Sequence, residues 1–319
     1  MPAGPDKPMD ARDGWLKIEL FAPEALIDAL TGFLTDSGAQ GVYQESPGPR
    51  DPDDAPAAPS AEALQAFLPC DKQMEGRVAA LRTYLASLAE LFPEMEKPRL
   101  RTEFIRDPGW GETWKQFFKP LRVGRRIVIK PTWEPYSPAG ADVVVEIDPG
   151  MAFGTGQHAS TRMCLEAIEA LLSEDCGFAG RHVLDVGTGT GVLGIAAARL
   201  GAAEVLCIDN DEQATAIARE NVLINGVGDR VAVADLAIAA LTRPFPLVVA
   251  NLTAKILLEL HPHLSRLVCP RGYLILSGII EPNRRDIEGC FLRAPFALHC
   301  LSTDKEWLCY VLRKEGSGP

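Results

Sequence analysis

The chain of 319 residues lacks any long uninterrupted apolar stretch. Runs such as Leu193–Ala198 are cut by charged residues such as Arg199, far short of the roughly 18–20 residues that a bilayer span requires. A transmembrane helix is thereby excluded. The first residues, Met1 to Gly14, carry Pro, Asp and Lys without an apolar core, which does not suit the hydrophobic region of a secretory signal. A cytoplasmic location is expected. The eight cysteines include no C-x-x-C pair, and several sit in apolar runs where a thiol behaves as a small hydrophobe. They read as reduced core residues, with no metal site, and His261 and His263 beside Pro262 lack the further ligands that a metal needs. Positive charge is also scarce, with 32 basic against 43 acidic residues and a net charge of −11. Such a chain repels nucleic-acid phosphate and suits a basic partner, so no direct nucleic-acid binding is expected.

What is present is ordinary globular composition, 47% hydrophobic and 24% charged, at a length sufficient for two domains. Residues 1–100 hold 9 basic and 17 acidic side chains, so −8 of the net charge lies there. Trp15–Leu20 alternates as a strand, Glu24–Thr35 follows Pro23 as a helix, and Gly38–Tyr43 reads as a second strand. After a Pro- and Asp-rich insertion at 47–59, a strand resumes at Phe67–Leu68. Gly76–Leu91 is then helical in period, and Leu100–Ile105 is a further strand. This is the order of a small β-α-β-β-α-β, ferredoxin-like domain over residues 1–106. Residues 107–142 read as a connector. From Thr113 to Trp133 it holds six basic residues and no acid, which suits either a basic binding strip or a linker whose Trp110 and Trp114 pack between domains.

From 143 to 319 apolar runs alternate with helical segments, as in a parallel sheet wrapped by helices. Val183–Val186, Glu204–Ile208, Arg230–Ala234, Leu247–Ala250 and Tyr273–Leu276 are strand candidates, with helices at Leu193–Leu200, Glu212–Asn225 and Ala254–Leu267. A hairpin of Ala297–Ser302 and Trp307–Arg313 makes the sheet mixed.

The strongest chemical signal is the run from Val183 to Gly194, in which Asp185-Val186-Gly187-Thr188-Gly189-Thr190-Gly191 links a strand to a helix. Glycines allow a tight turn and close backbone approach, and the first N–H groups of the helix remain free as donors. About 20 residues further on, Asp209 ends the next strand, where a carboxylate can accept both hydroxyls of a ribose. Gly189, Gly191 and Gly194 also satisfy the G-x-G-x-x-G of a nicotinamide dinucleotide site. Asp185 argues against that, because its charge would sit beside a pyrophosphate but suits the ammonium of a methionyl group.

In these residues the sequence resembles the class I S-adenosylmethionine-dependent methyltransferases. More narrowly, Asp148-Pro149-Gly150-Met151-Ala152-Phe153-Gly154-Thr155-Gly156-Gln157-His158-Ala159-Ser160-Thr161, Val248-Val249-Ala250-Asn251-Leu252 and Leu276-Ser277-Gly278-Ile279 are similar to motifs of the ribosomal protein L11 methyltransferase family. Trp114-Lys115, Phe118-Lys119-Pro120-Leu121 and Glu306-Trp307 fit as well. The resemblance covers about residues 107–313; the acidic N-terminal hundred residues and the 47–59 loop are unmatched. Ala159-Ser160 departs from the family's usual pair, while Thr161 is retained.

The resemblance implies an α/β class I methyltransferase domain, its Rossmann-like sheet carrying an antiparallel last strand. It implies S-adenosylmethionine as cofactor, contacted by Thr161, Gly187, Asp209 and Asn251, with Gly189 and Asp185 contributing from the glycine turn. Asn251 is the expected catalytic residue, since direct displacement at carbon needs alignment more than acid–base chemistry. Phe153, Leu252 and His158 are expected to line the substrate pocket, with plain core or loop roles open for Phe153 and His158. Asp235 is a further candidate for the adenine amine. The implied reaction is methylation of lysine ε-amines, and of an N-terminal α-amine, on a protein partner, ribosomal protein L11. Lysines of another protein, such as the electron-transfer flavoprotein β subunit, a non-catalytic cofactor-binding module, and a nicotinamide-dependent oxidoreductase remain alternatives.

Overall fold

The computed structural model describes residues 14–148, 156–172 and 181–316, except 24–25, 28–29, 32, 35–36, 46–61, 106–118 and 157. Two compact units divide at Phe117/Phe118. In the first, strand β1 (Trp15–Ala22) alternates half-buried and buried residues. It pairs antiparallel with β3 (Glu62–Pro69) on one edge and β4 (Arg99–Ile105) on the other. Strand β2 (Gln40–Glu45) joins the outer edge of β3, giving the order β2-β3-β1-β4. Helix α1 (Met74–Leu91) buries Leu81, Leu85 and Leu88, a spacing of four and three that forms one stripe. Helical residues Leu26, Ile27, Leu30 and Leu34 complete a single core with Leu16, Ile18 and Leu20. This is the ferredoxin-like arrangement expected for the unit; the 47–59 insertion lies outside the described residues.

The second unit begins earlier than the apolar pattern suggested. Within the stretch read as a connector, β5 (Leu121–Val123) and β6 (Ile127–Pro131) form an antiparallel pair, and β6 runs parallel to β7 (Val143–Ile147). Ile127, Val128 and Ile129 are buried, so this segment is part of the domain. Three of its described cations are engaged internally: Lys119 with Glu134 at 2.8 Å, Arg122 with Asp142 at 2.8 Å and Lys130 with Glu146 at 3.1 Å. These pairings do not suit a basic binding strip. Trp110 and Trp114 lie outside the described residues. The β5–β6 turn is held by Glu169 of helix α2 (Ala159–Leu172), whose carboxylate accepts the N–H groups of Arg125 at 2.8 Å and Arg126 at 2.7 Å.

The main sheet has seven strands: β8 (His182–Val186), β9 (Glu204–Asp209), β10 (Val231–Asp235), β11 (Phe245–Asn251), β12 (Val268–Ile280), β13 (Phe296–Asp304) and β14 (Trp307–Lys314). Their order is β10-β9-β8-β11-β12-β14-β13. The first five run parallel, and β14 lies antiparallel between β12 and β13. Alternate residues enter different cores. Val183, Val205, Leu247 and Val249 pack with α2 and α3 (Val192–Arg199). Leu184, Val186, Val248 and Ala250 pack with α5 (Ala254–Leu267) and α6 (Arg284–Phe291). Burial on both faces is why these strands read as continuous apolar runs. After β8 the chain moves outward through β9, α4 (Glu212–Ile224) and β10, then returns to β11 on the other side of β8. The carboxyl ends of β8, β9 and β11 therefore meet at the reversal of strand order, where open α/β sheets bind ligands.

Candidate active site

The glycine turn leaves β8 and folds over the end of β9, with the N–H groups of Gly187 and Thr188 donating to Ile208 O at 2.9 and 3.1 Å. Gly187 has φ +72°, and a Cβ there would lie 2.4 Å from Leu252 Cδ2. Glycine is thus required by the left-handed backbone, and the Leu252 methyl would have to move aside for any side chain there. The apolar side chain expected in the substrate pocket closes against the turn itself.

Asp185 is fully buried near the end of β8. Its Oδ2 accepts the Thr188 hydroxyl at 2.6 Å, while Oδ1 is buried without a partner among the described residues. Burial pushes the carboxyl up to about 6, against the Thr188 hydroxyl and Gly194 N–H bonds that lower it; the charge of Asp209 raises it further. A buried carboxylate with one vacant oxygen has its greatest gain to make from a cation. Asp209, the last residue of β9, accepts Gly189 N–H at 3.0 Å through Oδ2 and Asp211 N–H at 3.1 Å through Oδ1. It joins the turn to the start of α4, and its oxygens have lone pairs left over for hydroxyl donors.

Asn251 ends β11 and pairs with Ser277 of β12. Its Nδ2 donates to Thr161 Oγ1 of α2 at 3.2 Å, and its buried Oδ1 has no partner among the described residues. The fixed donor orients the amide, and the unused acceptor remains at the strand end. The two downstream motifs interlock: Leu252 N–H donates to Ser277 O at 3.0 Å, and a Cβ on Gly278 would lie 2.4 Å from Leu252 O. Ser277 is itself buried and donates to Leu308 O at 3.1 Å.

The sequence-derived residues thus fall into two bonded groups at one end of the sheet. Thr161 and Asn251 form one, and Asp185, Gly187, Gly189 and Asp209 form the other, with Leu252 touching Gly187. His158 has Nδ1 2.7 Å from Ser160 Oγ, and its ring meets Trp307 edge-on at 4.6 Å. Phe153 lies outside the described residues. Asp235 is 3.1 Å from Arg219. Sequence reading missed Thr188, whose hydroxyl the D-x-G-T spacing places within reach of Asp185, and Ser277. Among the described residues no cluster of three or more His, Cys, Asp or Glu could hold a metal ion, and no helix is long and apolar enough to cross a membrane.

A buried anion, a glycine turn, a strand-end carboxylate and an oriented amide acceptor fit the ammonium, ribose and reacting ends of S-adenosylmethionine. This fold and site define a class I S-adenosylmethionine-dependent methyltransferase. The model of the ribosomal protein L11 methyltransferase (PrmA) family matches residues 14–315. The chain is 38% identical over 306 residues to the ribosomal protein L11 methyltransferase of Geobacter sulfurreducens, covering 95% of this chain and 99% of that protein. It is 42% identical over 255 residues to that of Heliobacterium modesticaldum, covering 79% and 78%. A crystal structure of ribosomal protein L11 methylase from Lactobacillus delbrueckii subsp. bulgaricus superposes with a TM-score of 0.57 at 32% identity, covering 62% of this chain and all (100%) of that one. The chain belongs to the ribosomal protein L11 methyltransferase family, and it is an S-adenosylmethionine-dependent protein-lysine methyltransferase.

Proposed function

We propose that this enzyme methylates lysine ε-amines of ribosomal protein L11 in the cytoplasm, with Asn251 as the residue that holds the amine. The observation that carries the reading is the Asn251 amide, anchored through Nδ2 on Thr161 with Oδ1 buried and unused. S-adenosylmethionine, when bound, supplies an electrophilic methyl group on a sulfonium. Thr161, Gly187, Gly189 and Asp209 would hold it, with Asp209 accepting ribose hydroxyls and Asp185 facing the methionyl ammonium.

A lysine of ordinary pKa, near 10.4, is only about one part in a thousand neutral at pH 7.4, so the site must favour the uncharged amine. Desolvation against Leu252 and Phe153 does so. Asn251 Oδ1 accepts an amine N–H, which leaves the nitrogen lone pair free to align for in-line attack. The N-terminal unit would dock the protein substrate, its acidity suited to a basic ribosomal protein.

Asn251→Ala is expected to lower methyl transfer to L11 by a hundredfold or more, on the order of the loss of one precisely placed polar group. Affinity for S-adenosylhomocysteine should stay within about tenfold, the worth of one hydrogen bond. Unimpaired turnover would remove Asn251 from the mechanism. For the target, labelled S-adenosylmethionine in an extract of a strain lacking the enzyme should mark L11; label on a different protein would overturn the substrate assignment.

A further inference from the structure

Two buried asparagines, Asn221 in α4 and Asn225 at its C-cap, grip β7 and its continuation. Among the described residues, strand β7 is an edge strand paired only with β6. On its other edge Asn225 Oδ1 accepts Glu146 N–H at 2.9 Å, and Asn225 Nδ2 donates to Glu146 O at 2.6 Å. Asn221 Oδ1 accepts Asp148 N–H at 2.9 Å, and Asn221 Nδ2 donates to Asp148 O at 3.4 Å. The match is geometric. Residues four apart on a helix rise about 6 Å, and residues two apart on a strand advance about 6.6 Å and present N–H and C=O to the same edge. An amide side chain supplies the donor and acceptor together, so each asparagine imitates one residue of a neighbouring strand.

The two differ in one respect. Asn225 Nδ2 turns its further bond back into α4, to Asn221 O at 2.8 Å, whereas Asn221 Nδ2 donates to Thr190 O of the glycine turn at 2.9 Å. Thr190 is fully buried. We infer that Asn221 is a positioning residue that ties the glycine turn to Asp148 at the end of β7, and thereby holds Gly187–Gly191 in the place the cofactor needs. The inference rests on the reading of the glycine turn as a holder of the cofactor. Asn221 acts through both backbones and touches neither cofactor nor substrate.

The matched pair Asn221→Ala and Asn225→Ala separates positioning from stability, because each removes an amide bonded to β7 or its continuation and only the first releases the turn. With full-length protein, S-adenosylhomocysteine affinity by calorimetry and KM for S-adenosylmethionine should worsen about tenfold or more in Asn221→Ala. Both should stay within about twofold in Asn225→Ala, with kcat changing less than KM in each. Hydrogen exchange of the 187–191 amides should quicken in the first variant alone. Should Asn221→Ala not fold, Asn221→Ser, which keeps a short donor, is held to the same comparison. Equal loss of affinity in both variants, or unchanged affinity in the Asn221 variants, would overturn the inference while leaving the cofactor site standing. Failure of the wild-type enzyme to bind S-adenosylhomocysteine would instead remove the cofactor reading and this inference with it.

Discussion

With Asp185 facing the methionyl ammonium, as proposed, cofactor affinity should vary with pH. Burial is the main cause that pushes the ligand-free carboxyl up from 3.8 to about 6. A bound ammonium favours the ionised form, so ligand binding must expel the proton wherever Asp185 carries one. Taking 6 for the free enzyme, Asp185 is about 90% protonated at pH 5 and about 10% at pH 7. S-adenosylhomocysteine should therefore bind about tenfold more weakly at pH 5 than at pH 8, a difference of about 1.4 kcal/mol. Calorimetry in buffers of different ionisation enthalpy should show close to one proton released per ligand at pH 5 and almost none at pH 8. Stability of the ligand-free enzyme moves in the opposite sense. Between about pH 4 and 6 the folded state keeps a proton that the unfolded chain has released, so this group's contribution falls as pH rises through that window, by about 3 kcal/mol in total. In Asp185→Asn both dependences should disappear. An affinity flat from pH 5 to 8 in the wild type, or a slope that survives in Asp185→Asn, would refute the pairing of Asp185 with the cofactor's cation.

Three further outcomes follow from the geometry. Gly187→Ala forces a side chain into a left-handed backbone position against Leu252 and should cost about 2–4 kcal/mol in chemical denaturation; adding Leu252→Ala should return part of that loss in a double-mutant cycle. Glu169→Ala strands the Arg125 and Arg126 amides and should destabilise by about 2–4 kcal/mol, each amide costing about 1–2, while kcat stays unchanged, since Glu169 binds only the β5–β6 turn. Affinity for the protein substrate should fall as salt rises, because −8 of the charge lies in residues 1–100 and screening weakens steering; a salt-independent affinity would reduce that acidity to a solubility feature.

Legibility in the sequence followed the physics of burial. Strand β1 was readable because only its even-numbered residues face the core. The β8, β9 and β11 runs were readable because both faces are buried. Helix α2 went unread because its first turn lies within the 148–161 motif, although Arg162, Glu166 and Ala170 form a less buried stripe at a spacing of four. Strands β5 and β6 escaped notice because they are short and interspersed with cations whose partners are distant in sequence. In α6 only Ile287 and Phe291 are buried, too few to mark a helical period. Strand β12 was expected at Tyr273–Leu276 and extends over Val268–Ile280, past Gly272 and Gly278, each a close backbone approach. The described cysteines divide: Cys164, Cys207 and Cys309 are buried, Cys70, Cys269 and Cys290 partly so, and Cys300 is exposed. At the site, Asp209 and Asn251 were marked by their places after apolar runs, while Asn221 was invisible because a polar residue in a helix ordinarily faces water.

Strand β14 lies inside the sheet although it follows every other described strand in sequence. It sends Trp307, Cys309 and Val311 to one core and Leu308, Tyr310 and Leu312 to the other. A nascent chain that has reached only Lys305 therefore presents β12 with an open edge and leaves both hydrophobic layers short of a wall. Such an edge invites pairing with other chains. Completion of the methyltransferase domain thus waits for β14, and chaperone demand should peak just before the hairpin of β13 and β14 emerges from the ribosome.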